Sequence, residues 1–279
     1  MELVMTLPSV KMLYYSFPGL FVILCWIFPF IALTQQGTSY ISKAESIPRA
    51  KVFVIGLSKT GTTSLGDALE LLSYRRTGWE DIRSRFLFRS YTRGDLTFLI
   101  DRTFEFDAFE DLPWSLVYRE MATLYSDAKF ILTLRKSEDA WLKSIKRHTE
   151  ERKWDGHEIV YGAEEATGNE GAYLDAYRNH TDSVREFFSS PIQQGRLMEF
   201  VIDRPEISKG EKWSRLCEFL GLSDSMINMM RQMEFPHSNA TPSSQETGVW
   251  HFMAKIKCLI EEGLVKVLYG LGWLTAAGL

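Results

Sequence analysis

This sequence predicts an α/β domain, a parallel sheet between two layers of helices. Three apolar runs and the residues after each of them carry the prediction. "KVFVIGL" (51–57), "AKFILTLR" (128–135) and "RLMEFVI" (196–202) are near-continuous apolar segments of strand length, the pattern of strands buried on both faces of a parallel sheet. Each is followed by a loop and then by residues at helical spacing, so strand and helix alternate and the connections read as crossovers. At 279 residues the chain is long enough for one such domain with a sizeable core.

Taken in order, residues 1–11 are a short N-terminal tail. Residues 12–33, "MLYYSFPGLFVILCWIFPFIAL", carry no charge over 22 positions and are read as a transmembrane signal-anchor helix. Pro18 and Pro29 kink such a span near its ends, which a membrane helix tolerates. The flanking charges (Lys11 before, Lys43, Arg49 and Lys51 after) favour a cytoplasmic domain. The two sequons beginning at Asn179 and Asn239 favour a lumenal one. The expectation is a single-pass protein with its domain in the Golgi lumen, the cytoplasmic orientation remaining open. Residues 34–50 are polar, without periodicity, and read as a stem.

The domain is expected over 51–240. After the first strand and its loop, Leu65, Ala68, Leu69 and Leu72 recur at helical spacing. After the second strand, "SED" is a helix-start signal ahead of Trp141 and Ile145. Residues 173–188 have helical periodicity, and "GEKWSRLCEFLGL" (210–222) is a short helix stopped by Gly221. The C-terminal part, 241–279, is strongly apolar and reads as a helical segment lying on the domain, the membrane surface or a partner.

A net charge of −4 argues against non-specific nucleic-acid binding but leaves room for a local anion pocket. Cys25, Cys217 and Cys258 show neither CxxC nor Cys/His ligand spacing, so no metal site is expected. The informative stretch is "VFVIGLSKTGTTSL" (52–65). Gly56 and Gly61 have the separation of a nucleotide-triphosphatase phosphate loop, but Thr62 occupies the usual lysine position and Lys59 lies inside the loop. A strand–loop–helix of this kind turns backbone N–H groups and a helix N-terminus toward an anion. Lys59 then reaches over the anion's far end, where a transferred group on a 5′-phosphate would need a cation.

"SKTGTTSL" resembles the 5′-phosphosulfate loop of sulfotransferases that use 3′-phosphoadenosine 5′-phosphosulfate (PAPS). "ILTLRKSEDAWLKS" is similar to that family's 3′-phosphate element, with Arg135 at a strand end and Ser144 about two helical turns later, one residue beyond the commonest spacing. "FDAFEDLPW", "GEKWSRLCEFLGL" and "FPHSN" resemble further elements of one branch, in the family's order. The resemblance implies the P-loop NTPase-like sulfotransferase fold, PAPS as co-substrate without a metal, and transfer of a sulfuryl group to an acceptor hydroxyl or amine. It implies donor binding by Ser58, Lys59, Thr60, Gly61, Thr62, Thr63, Ser64, Arg135 and Ser144. Lys59 is the implied electrostatic catalyst, with Asp111 as general base and Glu110 as the alternative.

Two other readings stand beside it. One is a P-loop kinase or nucleotide triphosphatase, whose acidic strand-end residue "FLID" (to Asp101) and "FVID" (to Asp203) imitate. The other is a non-catalytic membrane-anchored relative. Residues 75–106 are expected to help wall the acceptor site, but no motif there names the acceptor.

Overall fold

A computed structural model describes residues 49–79 and 82–238, together with positions 260, 263, 264 and 267. The expected anchor at 12–33, the stem and most of the C-terminal apolar segment lie outside the described residues. Among the described residues, no helix is long and apolar enough to cross a membrane.

Five parallel strands form one sheet: β1 (Val52–Val54), β2 (Arg76–Thr77), β3 (Ala108–Glu110), β4 (Lys129–Leu134) and β5 (Leu197–Val201), in the spatial order β2-β3-β1-β4-β5. Central β1 is in register with both neighbours, Val52 opposite Ala108 and Lys129, Phe53 opposite Phe109 and Phe130. The chain runs to one side of β1 for β2 and β3 and to the other for β4 and β5. That reversal makes the C-terminal end of β1 a topological switch point, where open α/β sheets bind their ligands.

The period-2 alternation of strand side chains divides the core between two faces. Val52 and Val54 join Ile131 and Phe200 under α1 (Thr62–Leu71), α8 (Lys209–Phe219) and α9 (Asp224–Met230). Phe53, Phe109, Phe130 and Leu132 pack on the opposite face with α3 (Thr97–Glu105), α4 (Tyr118–Leu124), α5 (Glu138–Glu151), α6 (Gly156–Tyr161) and α7 (Glu170–Phe188). A further helix, α2 (Ile82–Thr92), carries Phe88 into a small cluster with Leu112 and Trp154. The three-layer parallel architecture expected from the apolar runs is present.

The differences are local. The first run contributes a ladder only over Val52–Val54, and the chain beyond it turns into the loop. β2 and β3 come from segments too short to show a period. "FLID" is not a strand end: it lies in α3, a helix whose buried residues are Leu99 and Thr103 while Asp101 faces solvent. The helix starts follow the capping signals. Ser137 Oγ accepts from Ala140 N at 3.1 Å, with Glu138 and Asp139 in the first turn, and Ser208 Oγ accepts from Glu211 N at 3.2 Å.

Candidate active site

The loop between β1 and α1 is built around close backbone approach. At Gly56 an added Cβ would lie 2.1 Å from Thr133 Oγ1 on β4, so only glycine fits there. Thr60 Oγ1 donates to Leu57 O (2.6 Å) and shares a hydrogen bond with Thr133 Oγ1 (2.7 Å), which folds the loop back on its own strand. Two ring N–H groups hold its carbonyls from outside. Trp141 Nε1 donates to Ser58 O at 3.0 Å, and His180 Nε2 donates to Ile55 O at 2.7 Å. His180, to which no motif assigns a role, is placed by α7 as a tether of the β1 end.

Lys59 and Gly61 have positive φ, 70° and 98°. Alternation of this sort turns successive N–H groups inward to make an anion-binding nest. The N–H groups of Lys59, Gly61, Thr62 and Thr63 have no acceptor among the described residues. α1 starts at Thr62 with no side-chain cap and no acidic residue in its first turn. The partial positive charge of that helix end is therefore left for an external anion.

Lys59 is half-buried, and burial lowers its pKa, as do Arg152 and Arg147; Asp111 opposes them. Asp111, at φ 63°, follows β3 directly and is reached by Ser58. Ser58 Oγ donates to Asp111 Oδ1 at 2.7 Å, and Leu112 N donates to the same oxygen at 2.9 Å. Burial raises the Asp111 pKa, while these two bonds, the charge of Lys59 and the Thr62 hydroxyl resist the shift. Lys59 and Asp111 thus each favour the other's charged form across the loop.

Glu110, the alternative base, is placed otherwise. It is 3% exposed and ion-paired with Arg76 (Nη1 to Oε1, 3.0 Å), and Arg76 Nη2 also meets Asp67 (3.0 Å) and Glu70 (3.3 Å) of α1. A carboxylate so engaged beneath α1 is structural in character. Ser64 is taken as well. Its Oγ receives Ser238 N at 2.9 Å, and Ser238 Oγ bonds Asp67, so the "FPHS" segment is strapped onto α1.

Arg135 stands at the end of β4. Its Nε donates to Asp203 Oδ2 (2.8 Å) and its Nη1 to Lys59 O (3.3 Å), while Asp203 Oδ1 accepts from Lys136 N (2.7 Å). Nη2 makes no hydrogen bond among the described residues. The guanidinium is therefore fixed by the loop backbone and by β5's exit, with one edge open. Ser144, half-buried on α5, makes no hydrogen bond to Arg135.

Several site residues carried no legible signal. α5 and α6 bring His148, His157 and Tyr161 to this end of the sheet, the two histidine rings 5.6 Å apart. Burial lowers the His148 pKa well below the ordinary range, and Lys59, His157, Arg152 and Arg147 push the same way. No motif marks them, because only tertiary packing places them beside the loop. Trp79, Phe88 and Trp154 form an aromatic cluster with Leu112, the neighbour of Asp111; the Trp79 and Trp154 rings are 4.7 Å apart.

No curated protein matches the chain. Among solved structures it is similar to a crystal structure of a sulfotransferase from Alicyclobacillus acidocaldarius, at 16% identity and a TM-score of 0.46, covering 79% of this chain and 97% of that one. Residues 51–162, from β1 through α6 and so including the loop, Asp111 and Arg135, match the family model of the sulfotransferase domain.

Proposed function

We propose that this protein is a PAPS-dependent sulfotransferase that sulfates an acceptor hydroxyl. The observation that carries the proposal is the loop of residues 58–63: inward, unpaired N–H groups at an uncapped helix start, with Lys59 in mid-loop and Arg135 tied to the Lys59 carbonyl at 3.3 Å. The sulfotransferase-domain match over the same residues supports it.

The residues present suit the donor. The N–H groups of Gly61, Thr62 and Thr63 would hold a 5′-phosphate at the start of α1. Arg135 would offer its open edge to a 3′-phosphate, the planar fork being suited to a phosphate dianion. When bound, the donor supplies a sulfuryl group activated by its link to phosphate. Sulfuryl transfer, like phosphoryl transfer, spreads charge in a loose transition state, so positioning and electrostatics dominate. Lys59 would neutralise charge on the oxygen that leaves. Asp111, with Oδ1 held by Ser58 and Leu112 N, would take the acceptor's proton on Oδ2.

Asp203 bears on the kinase alternative. In a phosphate-loop kinase a strand-end aspartate would serve a magnesium ion; here both Asp203 oxygens are occupied by Arg135 and by Lys136 N. We further propose residues 12–33 as a membrane anchor and a Golgi-lumenal domain, an orientation supported by the exposure of Asn179 on α7. The test is transfer of radiolabelled sulfate from PAPS to a panel of phenols, sugars and sterols in EDTA. Transfer that Lys59→Ala slows by about 100-fold or more supports the proposal; no transfer, with phosphorylation of the same panel by ATP and magnesium in a parallel assay without EDTA, overturns it.

A further inference from the structure

Residues 57–60 close a β-turn. Thr60 N donates to Leu57 O at 3.2 Å, and Thr60 Oγ1 donates to the same carbonyl at 2.6 Å. Of the two central residues, Lys59 has a positive φ of 70° and Ser58 does not. That pattern is a type II turn, which ordinarily places glycine where Lys59 stands. Lysine there is held in left-handed backbone, disfavoured about tenfold against the type I alternative. The two turn types differ by rotation of one peptide unit, that between Ser58 and Lys59.

Trp141 holds that peptide, its Nε1 donating to Ser58 O at 3.0 Å. The indole is fully buried, stacked on Tyr177 at 4.4 Å between centroids and tilted against Tyr161 at 6.2 Å. It cannot follow a carbonyl that turns away. A trans peptide points its C=O and N–H in opposite directions. With Ser58 O held on the α5 side, the Lys59 N–H faces the other way, where it has no acceptor among the described residues. Rotation to type I would bring Ser58 O to that side and leave the indole N–H buried without a partner. A tryptophan nitrogen can only donate, and an unpaired buried donor weighs about 10- to 100-fold against the rotated state. That is as large as the strain at Lys59, or larger.

We infer that Trp141 is a positioning residue for the donor's 5′-phosphate, acting through the Ser58–Lys59 peptide. Its N–H selects the turn that presents an amide to the anion, not a carbonyl oxygen. Arg135 secures the next peptide, its Nη1 reaching Lys59 O at 3.3 Å. Arg135 ends β4 and Trp141 stands in the first turn of α5. One connection therefore both offers Arg135 to a 3′-phosphate and sets the loop that receives the 5′-phosphate.

The inference rests on the reading of the loop as the donor site, but the turn itself is tested without ligand. Replacing Trp141 by benzothienylalanine keeps a bicyclic ring and removes the N–H, and it serves where Trp141→Phe does not fold. In a type II turn the Ser58 Hα lies against the Lys59 amide proton; in type I the two amide protons lie against each other. Nuclear Overhauser spectra of the full chain, deuterated except at serine and lysine, tell them apart. Wild type should show the first contact and the Trp141 variants the second. Calorimetry in EDTA then compares 3′-phosphoadenosine 5′-phosphate with adenosine 3′-phosphate. Affinity for the bisphosphate should fall about tenfold in the variants, and for the monophosphate by less than about twofold. Lys59→Gly removes the left-handed penalty, so in that background losing the indole N–H should leave the type II contact and cost less than about twofold. A ring needed only for packing would weaken both backgrounds alike. A wild-type contact pattern without the indole N–H, or an equal loss with and without Lys59→Gly, overturns the inference. A rotated turn in a protein that never binds the bisphosphate would refute the proposed function alone. Bisphosphate binding with an unrotated turn would refute the role of Trp141 alone.

Discussion

Replacing Gly61 by alanine tests whether the loop's geometry is imposed by its packing. Gly61 has φ 98°, and a Cβ there would come within 2.8 Å of Ile202 Cγ2 and 2.9 Å of its Cγ1. Two costs add. Left-handed backbone in a non-glycine residue costs about 1–2 kcal/mol, and forcing a methyl into a filled site costs about 1–3 kcal/mol. Gly94 provides the control: its φ is 76° but nothing lies within 4 Å of an added Cβ, so only the first cost applies. Gly61→Ala is therefore expected to lose about 3–4 kcal/mol and Gly94→Ala about 1–2 kcal/mol. For a domain of this size that is roughly 10 °C against roughly 4 °C in Tm. The assay is thermal unfolding followed by circular dichroism, with Ile202→Ala added in each background. Ile202→Ala should recover about 1–2 kcal/mol of the Gly61→Ala cost as coupling, and nothing with Gly94→Ala. Equal losses for the two glycines, or strict additivity at Gly61, would refute the packing argument.

Three further predictions concern charge. Asp203→Asn removes the partner of Arg135 Nε; because the pair is partly exposed, stability should change by no more than about 1 kcal/mol in urea unfolding, while affinity for 3′-phosphoadenosine 5′-phosphate should fall several-fold as the guanidinium loses its orientation. Lys59→Ala should leave that affinity within a few-fold but slow sulfuryl transfer by about 100-fold or more, measured with a competent acceptor. His157 sits at about pKa 4, down from 6.5, because burial penalises its charged form. Above pH 6.5 both folded and unfolded states hold it neutral; as pH falls toward 4 the unfolded chain takes up a proton that the native state refuses. Stability should then drop by about 3 kcal/mol over that window, and His157→Gln should flatten the loss in urea titrations at pH 7 and pH 4.5.

How far the sequence could be read follows from where each signal resides. β1, β4 and β5 are covered on both faces, so their apolar runs survive in the sequence. β2 and β3 have two and three residues, too few for any period, and β3 hides in a segment recognisable only by its resemblance. Lys59 and Gly61 stand out in the sequence because one short loop carries them at fixed spacing, and Arg135 stands out through the resemblance of its strand end. Glu110 and Asp111 are adjacent in sequence but diverge at the end of β3. Only the fold shows Arg76 beneath α1 claiming the first and Ser58 holding the second. Tyr161, His148 and His157 come from α5 and α6, roughly 90–100 residues along the chain from the loop. No local pattern encodes that approach, nor the bond from Arg135 Nε to Asp203 Oδ2.

The most direct test of the central claim is calorimetric titration of the protein with 3′-phosphoadenosine 5′-phosphate in EDTA, beside ATP with magnesium, in wild type and Arg135→Ala. The account predicts metal-independent binding of the bisphosphate that weakens at least tenfold when Arg135 is removed, and weaker binding of magnesium–ATP. Tight magnesium–ATP binding with no response to the bisphosphate in EDTA would contradict it.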